Sequence, residues 1–218
     1  MDAALPSGAT SHDFFHRARA RLTLDVPAAL DDPTVEATRG DLDLDPAMWE
    51  QAGVKAPRPA AVLVPVVDRS EPTVLLTLRT ELPSHPGQIA FPGGKIEPQD
   101  HTPAEAALRE AAEEIGLARA LIEPIGYLDL YLTFSGYRIL PTVARVAPDY
   151  KLVLSEREVA DAFEVPLTFL MDAQNHALHS RDWKGVTRKY YAMPFGERYI
   201  WGVTAGILRN LYERIYGG

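Results

Sequence analysis

The stretch FPGGKIEPQDHTPAEAALREAAEEIG, residues 91 to 116, ends with three glutamates in five positions, Glu110, Glu113 and Glu114, just before a glycine. At about 100° per residue on a helix, Glu113 and Glu114 lie within roughly 60° of Glu110, while Leu108, Ala111, Ala112 and Ile115 fall on the opposite half. One face is then carboxylate and the other core. Most helices with several glutamates simply turn such a face to water. Here the arrangement is costly. Each acidic pair at i, i+3 or i, i+4 costs about 0.2–0.5 kcal/mol, and a glutamate in the last turn opposes the helix dipole by about 0.3–1 kcal/mol more. A divalent cation reverses the sign of those terms, because hard cations such as Mg2+ bind through carboxylate oxygens, water and substrate phosphates. Convergent glutamates opposite a phosphate subsite are the chemistry this spacing points to.

Ahead of the cluster, FPGG lets the backbone approach a ligand closely, since neither Gly93 nor Gly94 carries a side chain, and a turn there could aim a carbonyl at a metal. The GGK that follows is not the end of a P-loop. The glycine required five positions before Gly94 is Ile89, and Lys95 is followed by Ile96 instead of serine or threonine.

The elements that must hold these residues are legible around them. Thr102, Pro103 and Glu105 form a capping box with proline at the first helical position, and Gly116 supplies the stop, which predicts a helix over 103–115. AAVLVPVV and TVLLTLR, separated by the turn-rich DRSEP, read as a strand pair. SHPGQIAFPGGKIEPQDHTP reads as a long structured loop with at most one short strand. EPIGYLDLYLTF and YRILPTVARV, joined by SG, read as a hairpin; KLVLSEREVADAFEVPL mixes a strand with a polar bend, and PLTFLMDA is a short helix. Val203, Ile207, Leu208, Leu211 and Ile215 recur at helical spacing in a C-terminal amphipathic helix starting about Ile200. Residues 1–56 form an N-terminal extension, with a short helix in HDFFHRARARL and an otherwise irregular, proline- and aspartate-rich course. Residues 57–218 form the main domain. Strands surrounding two helices predict an α/β sandwich with a mixed sheet.

Composition bounds the function. The 218 residues, 46% apolar, suit one main domain with extensions. The absence of cysteine excludes disulfides, thiolate zinc sites and cysteine nucleophiles. A net charge of −8, with no block of lysine and arginine, argues against nucleic acid or an anionic membrane as partner. With neither a leader pattern nor an apolar run of about 18 residues, a soluble cytoplasmic protein acting on a small molecule is expected. An acidic protein that acts on a phosphorylated compound needs a local cation.

The stretch GGKIEPQDHTPAEAALREAAEEIGL resembles the Nudix box, a loop, helix and loop with the pattern Gly, five residues, Glu, seven residues, Arg-Glu, an apolar residue, any residue, Glu-Glu, any residue, Gly and an apolar residue. The REAAEEIGL half matches throughout, with alanine in the apolar place. Between Gly94 and Arg109 the chain is one residue longer than the pattern, so the box glutamate is replaced by Asp100, or by His101 if the extra residue lies earlier. LLTLRTELPSHPGQIAFPGG, residues 75–94, is similar to the segment ahead of the box in the coenzyme A pyrophosphatases. There Leu-Leu-Thr-x-Arg leads to Gly-x-x-x-Phe-Pro-Gly-Gly, and Thr77, Arg79, Gly87, Phe91, Pro92, Gly93 and Gly94 match. The variable piece between is one residue short and lacks the basic residue often found in it, with Ser84 nearby. SGYRILPTVARV, SEREVADAFEVPL and YIWGVTAGIL extend the likeness over about residues 60–212.

The resemblance implies a Nudix α/β/α sandwich that cleaves a diphosphate, with magnesium or manganese (Mg2+ or Mn2+) held by Glu110, Glu113, Glu114 and the carbonyl of Gly93. In the coenzyme A branch the products are 3′,5′-ADP and 4′-phosphopantetheine, acylated when the substrate is acyl-CoA. The alternative substrates are ADP-ribose, dinucleotides or nucleoside triphosphates. A second alternative is an inactive nucleotide-binding module, whose usual signature, loss of a box glutamate, is absent here. Arg109 is expected to orient the glutamates, and Glu158 to be the general base, with Glu156 and Asp129 as reserves. Arg79, which could grip a phosphate through a bidentate contact, Gly87 and Phe91 stand on the substrate side, and His85 lies in the same loop. His176 and His179, in DAQNHALHSRD, read as surface loop, and Tyr199 and Trp201 as core.

Overall fold

The computed structural model describes residues 10–32, 34, 35, 37, 39–41, 43, 44, 57–80, 87–183 and 186–217; His85 and Ser84 lie outside the described residues. Near the N-terminus stand α1 (Ser11–Arg21) and the two-residue β1 (Arg39–Gly40). β2 (Arg58–Val67) and β3 (Thr73–Arg79) leave their turn as the expected antiparallel pair, but they pair only at Val66 with Val74 and at Val67 with Thr73 before splaying apart. The gap is filled by the glycine-rich segment. β4 (Ile89–Ala90) pairs with Thr77 and Leu78 of β3, and β5 (Gly93–Lys95) pairs with Ala60, Ala61 and Val62 of β2. The stretch read as a loop with at most one strand thus supplies two.

α2 (Pro103–Ile115) has the predicted bounds. The Thr102 hydroxyl accepts from the Glu105 N–H at 3.1 Å, and Gly116 closes the helix at φ +66°, a conformation in which a Cβ is strained. Glu105 reaches back to the His101 N–H instead of that of Thr102, one residue beyond a strict capping box. β6 (Ile122–Tyr127) and β7 (Tyr131–Leu132) both run antiparallel to β8 (Tyr137–Val146), as the hairpin pattern predicts. β8 lies parallel to β2 along the full length of both, β1 adds to β7, and β9 (Val159–Pro166) closes the far edge against β3. The sheet is mixed.

Alternation along β2 and β3 divides the core. Ala61, Leu63, Val67 and Leu75 face α2 and pack with Ala107, Leu108, Ala111 and Ile115. Val64, Val66, Val74 and Leu76 face the other way, onto Phe14 of α1 and Ile207, Leu208 and Leu211 of the last helix. At about 1.5–3 kcal/mol for each large apolar side chain withdrawn from water, both layers contribute strongly to holding helices on the two faces, an α/β/α sandwich. Ala112, assigned to the core half of α2, is exposed instead, whereas Glu114 is buried. The apolar arc is centred nearer Ala111, which draws Glu114 into it. Buried Arg138 on β8 pins the segment after α1, donating to the carbonyls of Ala29, Asp32 and Val35.

The C-terminal third departs most from expectation. After α3 (Leu167–Leu170), residues read as surface loop form β10 (Ala177–Trp183), which pairs with β11 (Val186–Phe195) and through it with β12 (Arg198–Trp201) in a separate antiparallel sheet. Residues 198–201 therefore belong to a strand, and α4 (Val203–Ile215) begins only after Gly202, at φ +63°. Met193 and Ile200 of this sheet are fully buried beneath α4. Its other face carries Tyr199, which is 40% exposed, stacked on His179 and tilted beside Trp201. Tyr199 is thus a surface residue, correcting its assignment to the core. Among the described residues no helix is long and apolar enough to cross a membrane.

Candidate active site

Arg109, Glu110, Glu114, Gly93 and Arg79 come together where α2, β5 and the end of β3 meet. Arg109 is the hub. Its Nε and Nη2 fork onto the two oxygens of Asp100 at 3.0 and 2.9 Å, Nη1 reaches Glu110 Oε1 at 2.8 Å and Glu113 Oε2 at 3.3 Å, and Nη2 also donates to the Lys95 carbonyl. The choice left open between Asp100 and His101 is resolved in favour of Asp100. Five residues separate Gly94 from Asp100, as in the pattern, so the extra residue is absorbed between Asp100 and Arg109; the Asp100 carboxylate also accepts from the Glu97 N–H. The paired guanidinium holds the Asp100 carboxyl below the usual carboxylate range.

Glu110 lies over Gly94. A Cβ on that glycine would sit 2.5 Å from Glu110 Oε1, so only glycine leaves the carboxylate where it is. At Gly93 the crowding is of another kind, since a Cβ would sit 2.4 Å from the Ala61 carbonyl oxygen of β2. One glycine thus permits strand pairing and the other makes room for an acid. Glu114 is 3% exposed. Oε2 accepts the Gly93 N–H at 3.3 Å, and Oε1 stands 3.9 Å from Arg79 Nη1. Burial, with the charges of Glu110 and Glu158 adding to it against Arg79 and the Gly93 amide, pushes its carboxyl up to about 7. Burial also raises Glu110, and Glu113 and Glu158 add to that while Arg109 opposes it. Glu113 projects to solvent with a side chain 58% exposed.

Arg79, expected to face either water or a phosphate, faces Glu114. Gly87 turns at φ +68° in the approach to β4, and no described residue lies within 4 Å of where a Cβ would stand. Phe91 is buried in the core with Val64 and Ile89, so its side chain is part of the packing and not of an open binding surface. Glu158 is exposed and near enough to the buried glutamates for its charge to act on both. Of its reserves, Asp129 is far off, bonded to Asn210 and Arg214 on α4. His176 and His179 do not converge: His176 bonds the Leu170 carbonyl, and His179 the Tyr199 hydroxyl.

The sequence reading missed what holds the loop between β8 and β9 against α2. The Val153 and Ser155 N–H groups donate to the Ile115 and Glu114 carbonyls, satisfying acceptors that the end of any helix leaves open. Backbone bonds of this kind leave no mark on residue type.

A NUDIX domain model matches residues 57–184. The chain belongs to the Nudix hydrolase family. It is 39% identical over 157 residues to the uncharacterized Nudix hydrolase NudL of Yersinia enterocolitica, spanning 72% of this chain and 80% of that one. The NudL of Yersinia pestis is 38% identical over 161 residues, with the same coverage. Among solved structures, the Nudix hydrolase RenU of M. smegmatis aligns with 50% of this chain and 71% of its own at a TM-score of 0.40 and 23% identity.

Nudix hydrolases generally use divalent metal ions. Among the described residues no three acidic or imidazole groups already form a cage; Arg109 engages Glu110 and Glu113, and Gly93 engages Glu114. The donors nevertheless suit a hard cation. Glu114 is a buried carboxylate whose one cationic partner among the described residues, Arg79, stands 3.9 Å away, and two further acids raise its proton affinity, so positive charge is short around Glu114 and Glu110.

Proposed function

We propose that the protein hydrolyses the diphosphate of coenzyme A or acyl-CoA to 3′,5′-ADP and (acyl-)4′-phosphopantetheine, with Mg2+ or Mn2+ held by Glu110, Glu113, Glu114 and the Gly93 carbonyl. On this reading residues 57–218 are the hydrolase domain and 1–56 its N-terminal extension. The observation that carries it is the buried, under-compensated Glu114 beside Glu110 and the glycine pair, with Arg79 next to them. The coenzyme A assignment is supported by the matching residues Thr77, Arg79, Gly87 and Phe91 to Gly94.

A dication held by these residues would supply charge neutralisation of the diphosphate, a more acidic water and stabilisation of the departing phosphate. The chain's residues do the rest. Arg109, locked by Asp100, holds Glu110 and Glu113 in place. Arg79 grips a phosphate oxygen of the substrate, exchanging its long contact with Glu114 for a stronger one. Glu158 takes the proton as the water oxygen bonds to phosphorus and the bridging P–O bond breaks.

The test is mass spectrometry of coenzyme A, its 3′-dephospho form, ADP-ribose and a nucleoside triphosphate after incubation with and without Mg2+. Release of 3′,5′-ADP only with the metal is expected, together with a fall of at least about 10²-fold for Glu114→Gln, since a well-placed electrostatic group is worth about 2.7–4 kcal/mol. Unchanged turnover in that variant ends the metal-site reading. Preference for ADP-ribose or a triphosphate ends only the coenzyme A assignment, and nucleotide binding without hydrolysis would mark a binding module.

A further inference from the structure

Glu158 sits in an exposed turn, the poorest place from which to aim a proton acceptor unless the turn itself is held. Two bonds from one residue hold it. Thr80, just past the end of β3, donates its N–H to the Glu158 carbonyl at 3.1 Å and its hydroxyl to the Arg157 carbonyl at 2.8 Å. Within the turn, the Glu158 N–H donates to the Ser155 carbonyl, and Ser155 is itself tied to the end of α2 through its N–H on the Glu114 carbonyl. The turn is thus clamped from one side by the strand carrying Arg79 and from the other by the helix carrying the metal-site glutamates. Next to the clamp the β3 and β9 register slips, so that Leu78 pairs with Asp161 but Arg79 with Val159, leaving Ala160 as a bulge. Bulges beside functional sites re-aim the side chains that follow. Here the slip leaves Val159 buried in the α2 layer.

We propose that Thr80 is a positioning residue for hydrolysis: its hydroxyl, by capturing the Arg157 carbonyl, fixes the 155–158 turn so that Glu158 is presented to the attacking water. This rests on Glu158 being the base. The clamp's backbone half needs only the N–H of residue 80, which valine, serine and alanine all keep, so these replacements separate the bond made by the hydroxyl from the bond made by the backbone.

The experiment compares Thr80→Val, Thr80→Ser, Glu158→Gln and the Thr80→Val/Glu158→Gln double variant, with coenzyme A as first substrate and ADP-ribose as second, at saturating Mg2+. Thr80→Val keeps the side-chain volume and is expected to melt within a few degrees of the parent, about the effect of one lost exposed hydrogen bond. Its kcat is expected to fall about tenfold or more with KM within about twofold, because misplacing a reacting group costs rate without costing binding. Thr80→Ser should restore most of the loss. In the Glu158→Gln background the same valine should cost nothing further, since there is no base left to aim. Glu158→Gln with unchanged turnover on both substrates overturns the base assignment and this inference with it. A crippled Glu158→Gln with Thr80→Val unchanged, or with effects that multiply in the double variant, overturns the positioning role alone. Should Thr80→Val not fold, Thr80→Ala takes its place, and a kcat loss that serine fails to rescue counts against the proposal.

Discussion

The two box glycines do different work. A methyl at Gly94 meets the end of a flexible carboxylate, whereas one at Gly93 meets backbone of the neighbouring strand. Gly94→Ala is therefore expected to keep its thermal midpoint within a few degrees and lose about tenfold or more in kcat as Glu110 is displaced. Gly93→Ala is expected to be destabilised by about 1–3 kcal/mol, the usual cost of overpacking, in a denaturant titration. A result with the two reversed would mean that Glu110 is not where the reaction needs it. From sequence, both glycines were legible only as freedom of approach. What each approaches depends on the 89–95 segment entering the sheet, a long-range pairing that no local pattern encodes. Arg109 was legible as the organiser, yet its partner could be narrowed only to Asp100 or His101, because an insertion's position depends on the loop's path.

α2 was readable to the residue because its two ends carry chemical stops, a threonine cap with proline behind it and a glycine at positive φ. The sheet of β10, β11 and β12 was hidden by its own surface. HALHSRD offers mostly polar or exposed side chains, and only Leu178 interrupts them with a large apolar group, itself exposed. The signal that could have found it lies further on. Gly196 and Glu197 form a two-residue turn between Phe195 and Arg198, which pair, and glycine there accepts φ +55°. α1 had the opposite fate, being readable as a helix but not as core. Phe14 is fully buried between the sheet and α4. Phe14→Ala is expected to cost about 3–5 kcal/mol in chemical denaturation, comparable to any truncation in the main sheet. A loss below about 1 kcal/mol would show that α1 is only loosely laid on the body.

Two carboxylates set opposing pH dependences for the whole molecule. Asp41 is partly buried, and burial lifts its carboxyl from 3.8 to about 6 despite bonds from the Phe134 N–H and the Tyr131 hydroxyl. The folded state holds this proton after the unfolded chain has released it, so the contribution of Asp41 is complete below about pH 4 and lost as pH rises through 6. Glu164 is the converse. The Arg69 fork, with Thr73 and Tyr150, lowers its carboxyl to about 2, so its contribution is complete above about pH 4.5 and lost as pH falls towards 2. Asp41→Asn is expected to remove on the order of 2 kcal/mol of the decline in unfolding free energy between pH 4 and 6, measured by urea titration against the parent. Identical slopes in the two proteins would contradict the burial of that acid.

The parting of β2 and β3 has a mechanical meaning. The 89–95 segment is wedged between them like a keystone, with the Leu63 N–H donated to the Pro92 carbonyl and Gly93 tied at once to a strand and to an acid. The backbone beside Glu110 and Glu114 is consequently not a surface loop that can breathe on its own. It yields only when the arch around it comes apart, and whatever tightens it from the solvent side is felt in the middle of the fold.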